Sequence, residues 1–160
     1  MRKQSATERT PTTFATSPTG ILTVLSVSPL DSDHLSLQTL IADSTWILYK
    51  ARELVSALVL LQQHDIAVVV CERDLLPGSY IDVLEHISAL RNAPSLIVAS
   101  RLADERLWAE ALNLGAWDVL AKPFDRNELV RSVKWAWEHW HDQGERHTNR
   151  ATHRMVATGA

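Results

Sequence analysis

The residue with the clearest chemical potential is Lys122, which stands at the exit of the short, largely apolar run Trp117 to Ala121 and is followed at once by Pro123. A lysine at the carboxyl end of a strand, just before a turn and a helix, lies where α/β sheets place their functional groups. The other candidates read as structural. Asp31 and Asp33 could serve as metal ligands, but capping of the helix that follows them accounts for both. Cys71 lies inside an apolar run with nothing nearby in sequence to lower its pKa, so it reads as packing. The seven histidines show no ligand spacing. His139 and His141 fall on different helix faces, and His147 and His153 lie in the terminal stretch.

The elements that must hold Lys122 are legible from local chemistry. Gly115 suits a helix end, because a residue without Cβ takes the left-handed conformation cheaply. Trp117 to Ala121 reads as a buried strand. Pro123 cannot continue a ladder, and Asp125 and Glu128 form a capping pair, with Phe124 and Leu129 as an apolar staple, so a helix starts there. Upstream, strands are expected over Ile21 to Val27, Trp46 to Lys50, Ile66 to Cys71 and Ser95 to Ala99. Helices are expected after the Ser28 to Asp33 loop, carrying Leu35, Leu37, Leu40 and Ile41, and over Ala51 to Gln63, roughly Tyr80 to Leu90 and about Asp104 to Leu114. The unbroken apolar run ending at Cys71 marks a central strand covered on both faces. Five strands alternating with five helices imply a doubly wound parallel sheet with right-handed crossovers.

Composition narrows the class. The chain has 160 residues, 46% of them hydrophobic and 22% charged, and a net charge of −3. It is long enough to bury a core, shows no basic footprint for nucleic acid, and has no apolar run long enough to span a bilayer. The first residues lack the apolar core of a secretory signal. A single cysteine fits a reducing, cytoplasmic compartment. Residues 1–19, rich in Thr, Ser, Pro and Ala, read as a disordered segment, residues 20–142 as one domain, and residues 143–160 as a flexible tail in which the apolar period is lost.

Gly115-Ala116-Trp117-Asp118 followed by Lys122-Pro123-Phe124, with Pro77-Gly78 after the third strand, carries a family pattern. Residues 21–141 resemble the receiver domain of two-component response regulators, a flavodoxin-like fold with strand order 2-1-3-4-5. The resemblance implies an aspartate at the end of strand three that accepts a phosphoryl group from a sensor kinase. It also implies an acidic pair after strand one that helps hold Mg²⁺, a Ser or Thr at the end of strand four, and a lysine that neutralises the phosphoryl oxygens.

This chain departs from that pattern. Ser28 and Pro29 stand where the acidic pair belongs. Glu72 takes the acceptor position, with Asp74 as the alternative. Either Ala99 or Ser100 holds the Ser/Thr position, and Val119 replaces the aromatic whose rotamer reports phosphorylation. The Mg²⁺ site is therefore expected to be lost, and no cofactor is expected. One reading of Glu72 and Lys122 is a direct pair that permanently imitates the phosphorylated state; the other is a pair that only stabilises the strand ends.

In the last helix, Leu129, Val130, Val133, Ala136, Trp137 and Trp140 share a stripe, while Trp135 falls on the opposite face. Trp108 flanks the stripe of the preceding helix. A tryptophan on a polar face is the residue type most enriched at interface hot spots. The resemblance points to the same surface, helix four, strand five and helix five, as the place where partners and dimers form. The expected function is a non-enzymatic, stand-alone receiver that binds a sensor kinase, another receiver or an output protein, or forms a homodimer through that face, independently of phosphorylation. The alternative is a conventional phosphoacceptor that uses Glu72 or Asp74 with unusual metal binding.

Overall fold

The computed structural model describes residues 20–157; the expectation for residues 1–19 lies outside them. The elements run β1 (Thr23–Val27), α1 (Asp31–Leu40), β2 (Ile47–Ala51), α2 (Leu54–Gln63), β3 (Val68–Glu72), α3 (Tyr80–Ser88), β4 (Ser95–Ser100), α4 (Glu105–Asn113), β5 (Asp118–Ala121) and α5 (Arg126–Ala157). All strand pairs are parallel, in the order β2-β1-β3-β4-β5. The flavodoxin-like doubly wound sheet expected from the alternation is the fold observed.

Strand alternation explains the two cores. Side chains along a strand point to opposite faces in turn. Val69 and Cys71 join Leu96 and Val98 beneath α2, α3 and α4, where Ala57, Val83, Ile87, Leu107 and Ala111 meet them. Val68 and Val70 join Ile97, Ala99 and Leu120 on the other face, against Leu37 of α1 and Leu129, Val133 and Ala136 of α5. β3 is central and feeds both layers, so its residues up to Cys71 are all buried.

Local chemistry sets the element ends. Gly115 has φ +104°, and the amides of Gly115 and Ala116 donate to the carbonyls of Leu112 and Ala111. This paired closure stops α4 and turns the chain into β5. Asp125 Oδ1 accepts from the Glu128 amide at 2.9 Å, which opens α5, and Phe124 and Leu129 pack in one apolar cluster. Gly78, at φ +90°, is also required: a Cβ there would meet Asp82 Oδ2 at 2.5 Å. That carboxylate accepts from the Ser79 amide in the α3 capping box.

Several boundaries shift by one or two residues from the sequence reading, and three differences bear on the fold. Ala51 belongs to β2, level with Val27, and α2 begins only at Leu54 after the Glu53 cap. Asp31 and Asp33 do not cap α1; Leu30 holds that position without a side-chain bond, and both aspartates lie in the first turn. The largest difference is at the carboxyl end, where residues 143–157 continue α5 instead of leaving it as a loose tail. An apolar period reports packing, not helicity, and this segment packs on little. It has no proline, and the Thr148 and Thr152 hydroxyls are satisfied by the carbonyls four residues back, so the helix runs on through its one glycine, Gly144.

Candidate functional site

The site lies at the carboxyl edge of the sheet, where β1, β3 and β5 end side by side. Lys122 follows β5, and its amide donates to the Ser100 carbonyl at 3.0 Å, which anchors the backbone as the ladder ends. Its side chain, 6% exposed, runs back over the strand ends. The Nζ donates to Asp33 Oδ2 at 2.8 Å and makes an ion pair with Glu72 Oε2. Glu72 and Asp33 are themselves only 12% and 13% exposed. Glu72 Oε2 is buried, and the ammonium is its partner.

Ser28 completes the group. Its hydroxyl donates to Asp33 Oδ2 at 2.6 Å and accepts the Leu30 amide at 3.1 Å. His34, the next residue of α1, holds the other side of Ser28: Nε2 donates to the Ser28 carbonyl at 3.0 Å, while Nδ1 faces Ser26 Oγ at 2.8 Å. A carbonyl can only accept, so the proton belongs on Nε2 and Nδ1 accepts from the Ser26 hydroxyl. Burial lowers the His34 pKa despite the opposing bond to Ser28, which keeps the ring neutral. The first turn of α1 thus clasps the end of β1 by hydroxyl and by carbonyl.

Two carboxylates share one ammonium here. Burial alone would pull the Lys122 pKa down, but the bonds to Asp33 and Glu72 outweigh it and hold it above the ordinary lysine value. Lys122 is therefore charged throughout the physiological range, as it must be to offset two buried carboxylates.

Among the sequence candidates, Glu72, Lys122 and Ser28 come together. Pro29 borders them without a side-chain donor; its carbonyl accepts from Arg52 at 3.3 Å. Asp74 does not reach the site: it is exposed, pairs with Arg73 at 2.8 Å and bridges to Ser79. Ser100 makes no side-chain bond to Lys122, Glu72 or Asp33 among the described residues. Ala99 is the β4 residue level with Glu72, while the buried Ser100 ends β4, its hydroxyl accepting the Leu102 amide at 3.1 Å and its carbonyl the Lys122 amide at 3.0 Å. The side chain beside Glu72 is thus a methyl group. Val119 is buried beneath the opposite layer. Burial also drives the Cys71 thiol far up, consistent with a packing role. Asp33 and His34 are the site residues that sequence reasoning missed. The available signal was electrostatic: a lone buried ammonium needs an acid, and the first turn of α1 lies directly beyond β1.

On the α4 and α5 side, Trp108 and Trp135 are both exposed, and the Arg131 guanidinium lies 5.7 Å from the Trp135 ring centre. Trp137 and Trp140 pack on the core, as the stripe anticipates, and His139 stacks on Trp117 at 4.8 Å. Among the described residues, no helix is long and apolar enough to cross a membrane.

An open five-stranded parallel sheet in this order is the flavodoxin-like arrangement, with its charged cluster at the carboxyl edge where such sheets place their sites. The response regulator receiver domain family matches residues 33–134, and the chain belongs to it. Solved structures agree. The signal receiver domain of an HD domain-containing protein from Pseudomonas fluorescens Pf-5 aligns with TM-score 0.70 and 27% identity, covering 77% of this chain and 99% of that one. A response regulator 1452 receiver domain from Francisella aligns at 0.66 and 22%, covering 74% and 98%. The chemotaxis response regulator CheY4 of Vibrio cholerae aligns at 0.66 and 15%, covering 73% and 99%, which shows the shared fold. No curated protein matches the chain.

Proposed function

We propose that this chain is an atypical, cytoplasmic receiver that binds signalling proteins without phosphoryl transfer. The observation that carries this reading is the commitment of Lys122 to Glu72 and Asp33. A lysine that is to meet phosphoryl oxygens must be free to turn to them. This one already has two buried carboxylates as counter-ions, and freeing it would strand both.

The donor set supports the same reading. Mg²⁺ needs near-octahedral oxygen ligation. Ser28 offers a neutral hydroxyl already bonded to Asp33, Pro29 offers no side-chain donor, and the two carboxylates face the ammonium. These residues do not fit the ion, and we assign them no phosphoryl step or catalytic role. The pair instead holds the ends of β1, β3 and β5 in one arrangement, so α4 and α5 present a constant surface. Trp108 and Trp135 are the apolar anchors on it. Arg126, Arg131, Lys134 and Glu138 border Trp135, a charged rim suited to a different protein, whether sensor kinase, another receiver or output protein.

Intact-mass spectrometry after incubation with acetyl phosphate and Mg²⁺ tests the reading. No phosphoryl gain is expected for the wild type or for Glu72→Asp. A gain by the wild type overturns the proposal, and a gain by Glu72→Asp alone shows that acceptor type was the only function lost. For the surface, Trp135→Ala should weaken capture of the partner kinase or output protein by at least about tenfold, in the range of a hot-spot residue. Unchanged binding would remove Trp135 from the interface.

A further inference from the structure

Helix α5 carries a second cluster of chemical groups, away from the carboxyl edge that holds Lys122. The histidines show no ligand spacing to one another, but His141 has carboxylates at helical spacing. Among the described residues, His141, Asp142 and Glu145 bring one imidazole nitrogen and two carboxylate oxygens within 4.8 Å of one another. Glu145 follows His141 by four residues and Asp142 by three, so both face it across one turn. His141 Nδ1 lies 3.7 Å from Glu145 Oε1. That is too long for a hydrogen bond. It is close to the separation of about 3.3 Å that two ligands keep when each stands about 2.0–2.1 Å from a tetrahedral ion.

The surroundings add two independent observations. A cleft of about 520 Å³ opens on the cluster, lined by His141 and Glu145 together with Asn92, Thr148 and Asn149, so further oxygen donors lie along it. The backbone supplies the other. Gly144 lies inside the turn that His141 and Glu145 bracket, and glycine is the weakest helix former apart from proline. This is also where α5 leaves the domain: Trp140 is its last residue packed on the core, and residues 145–157 are exposed. A bridge across this turn holds the helix where its own backbone holds it least.

We infer that His141, Asp142 and Glu145 bind one divalent transition-metal ion, Zn²⁺ fitting best, which clamps the Gly144 turn and stiffens the helix beyond it. The donor set selects the metal. One imidazole nitrogen with carboxylate oxygens suits Zn²⁺ and its neighbours in the first transition row, whereas Mg²⁺ and Ca²⁺ take oxygen ligands. Three protein ligands leave a fourth position for water or for a donor from the cleft. Glu72, Asp33 and Lys122 take no part.

Calorimetric titration of the full chain with Zn²⁺, with hydrogen exchange on the same samples, tests the inference. One ion per chain should bind with a Kd of about 100 µM or tighter, and a roughly hundredfold excess of Mg²⁺ should not displace it. Saturation should slow exchange of the 145–157 amides. His141→Ala and Glu145→Ala should each weaken binding at least about tenfold, since even groups that only support a metal ligand contribute that much, and each should remove the added protection. Glu145 is 67% exposed, so its variant keeps the test free of any effect on folding. The double variant His147→Gln/His153→Gln should bind as the wild type does. Absence of binding overturns the inference, as does binding that survives Glu145→Ala, disappears in the double variant or yields to Mg²⁺. Saturation without slower exchange overturns the clamp and with it the inference.

Discussion

Replacing Lys122 with methionine is the sharpest test of the site. Methionine keeps most of the length and removes the charge, leaving Glu72 and Asp33 as two buried carboxylates with no cation between them. Breaking a buried ion pair from one side typically costs about 3–5 kcal/mol, because the remaining charge stays desolvated. Glu72 and Asp33 keep some solvent contact, at 12% and 13% exposure, so the lower part of that range is expected near pH 7. Against a total stability of about 5–15 kcal/mol, the loss is large enough to read by urea denaturation as a fall in midpoint with little change in slope. The triple variant Lys122→Met/Glu72→Gln/Asp33→Asn should recover most of it, since neutral groups of the same shape carry no stranded charge. The pH dependence has a defined sign. The Lys122 pKa is raised in the folded state, so its contribution is fully present below the unfolded value of about 10.4 and is lost as pH rises through the folded value. The alkaline fall in wild-type stability should therefore be smaller in the triple variant. If Lys122→Met lies within about 1 kcal/mol of wild type, the ammonium does not hold the two carboxylates and the reasoning on this site fails.

Gly115→Ala should cost about 1–2 kcal/mol in the same denaturation assay, the penalty of forcing a Cβ into left-handed backbone. Nothing lies within 4 Å of the added carbon, so a much larger loss would point to a clash the structure does not contain. Trp135→Ala should leave stability within about 0.5 kcal/mol, the usual range for an exposed position. A larger loss would mean that Trp135 supports the fold instead of serving the interface.

Legibility differed by feature. The Gly115 turn, the Asp125 cap and the Phe124 and Leu129 staple were readable because each is made by residues within a few positions of one another. The buried strands were readable because a short, β-branched apolar run such as Val68 to Cys71 suits the centre of a covered parallel sheet. The extent of α5 was not, because the segment beyond Trp140 stands mostly in solvent and needs no apolar period. Nor was the relation of Ala99 and Ser100 to the site: the local sequence allows either, and it is the pairing of β4 with β3 that sets Ala99 level with Glu72.

What the sequence determined by itself, then, was the order of elements, their inner faces and the isolation of Lys122 at a strand end. Local sterics and the burial of apolar side chains act over short distances and leave their record in neighbouring residues. What only the tertiary structure decided was the company Lys122 keeps. Asp33 is 89 residues away in the chain and reads locally as a helix cap. It becomes a counter-ion because β1 and β5 both end at the carboxyl edge of one sheet and the first turn of α1 folds back over them. Electrostatic partnership depends on distance through space, and spacing along the chain does not encode it.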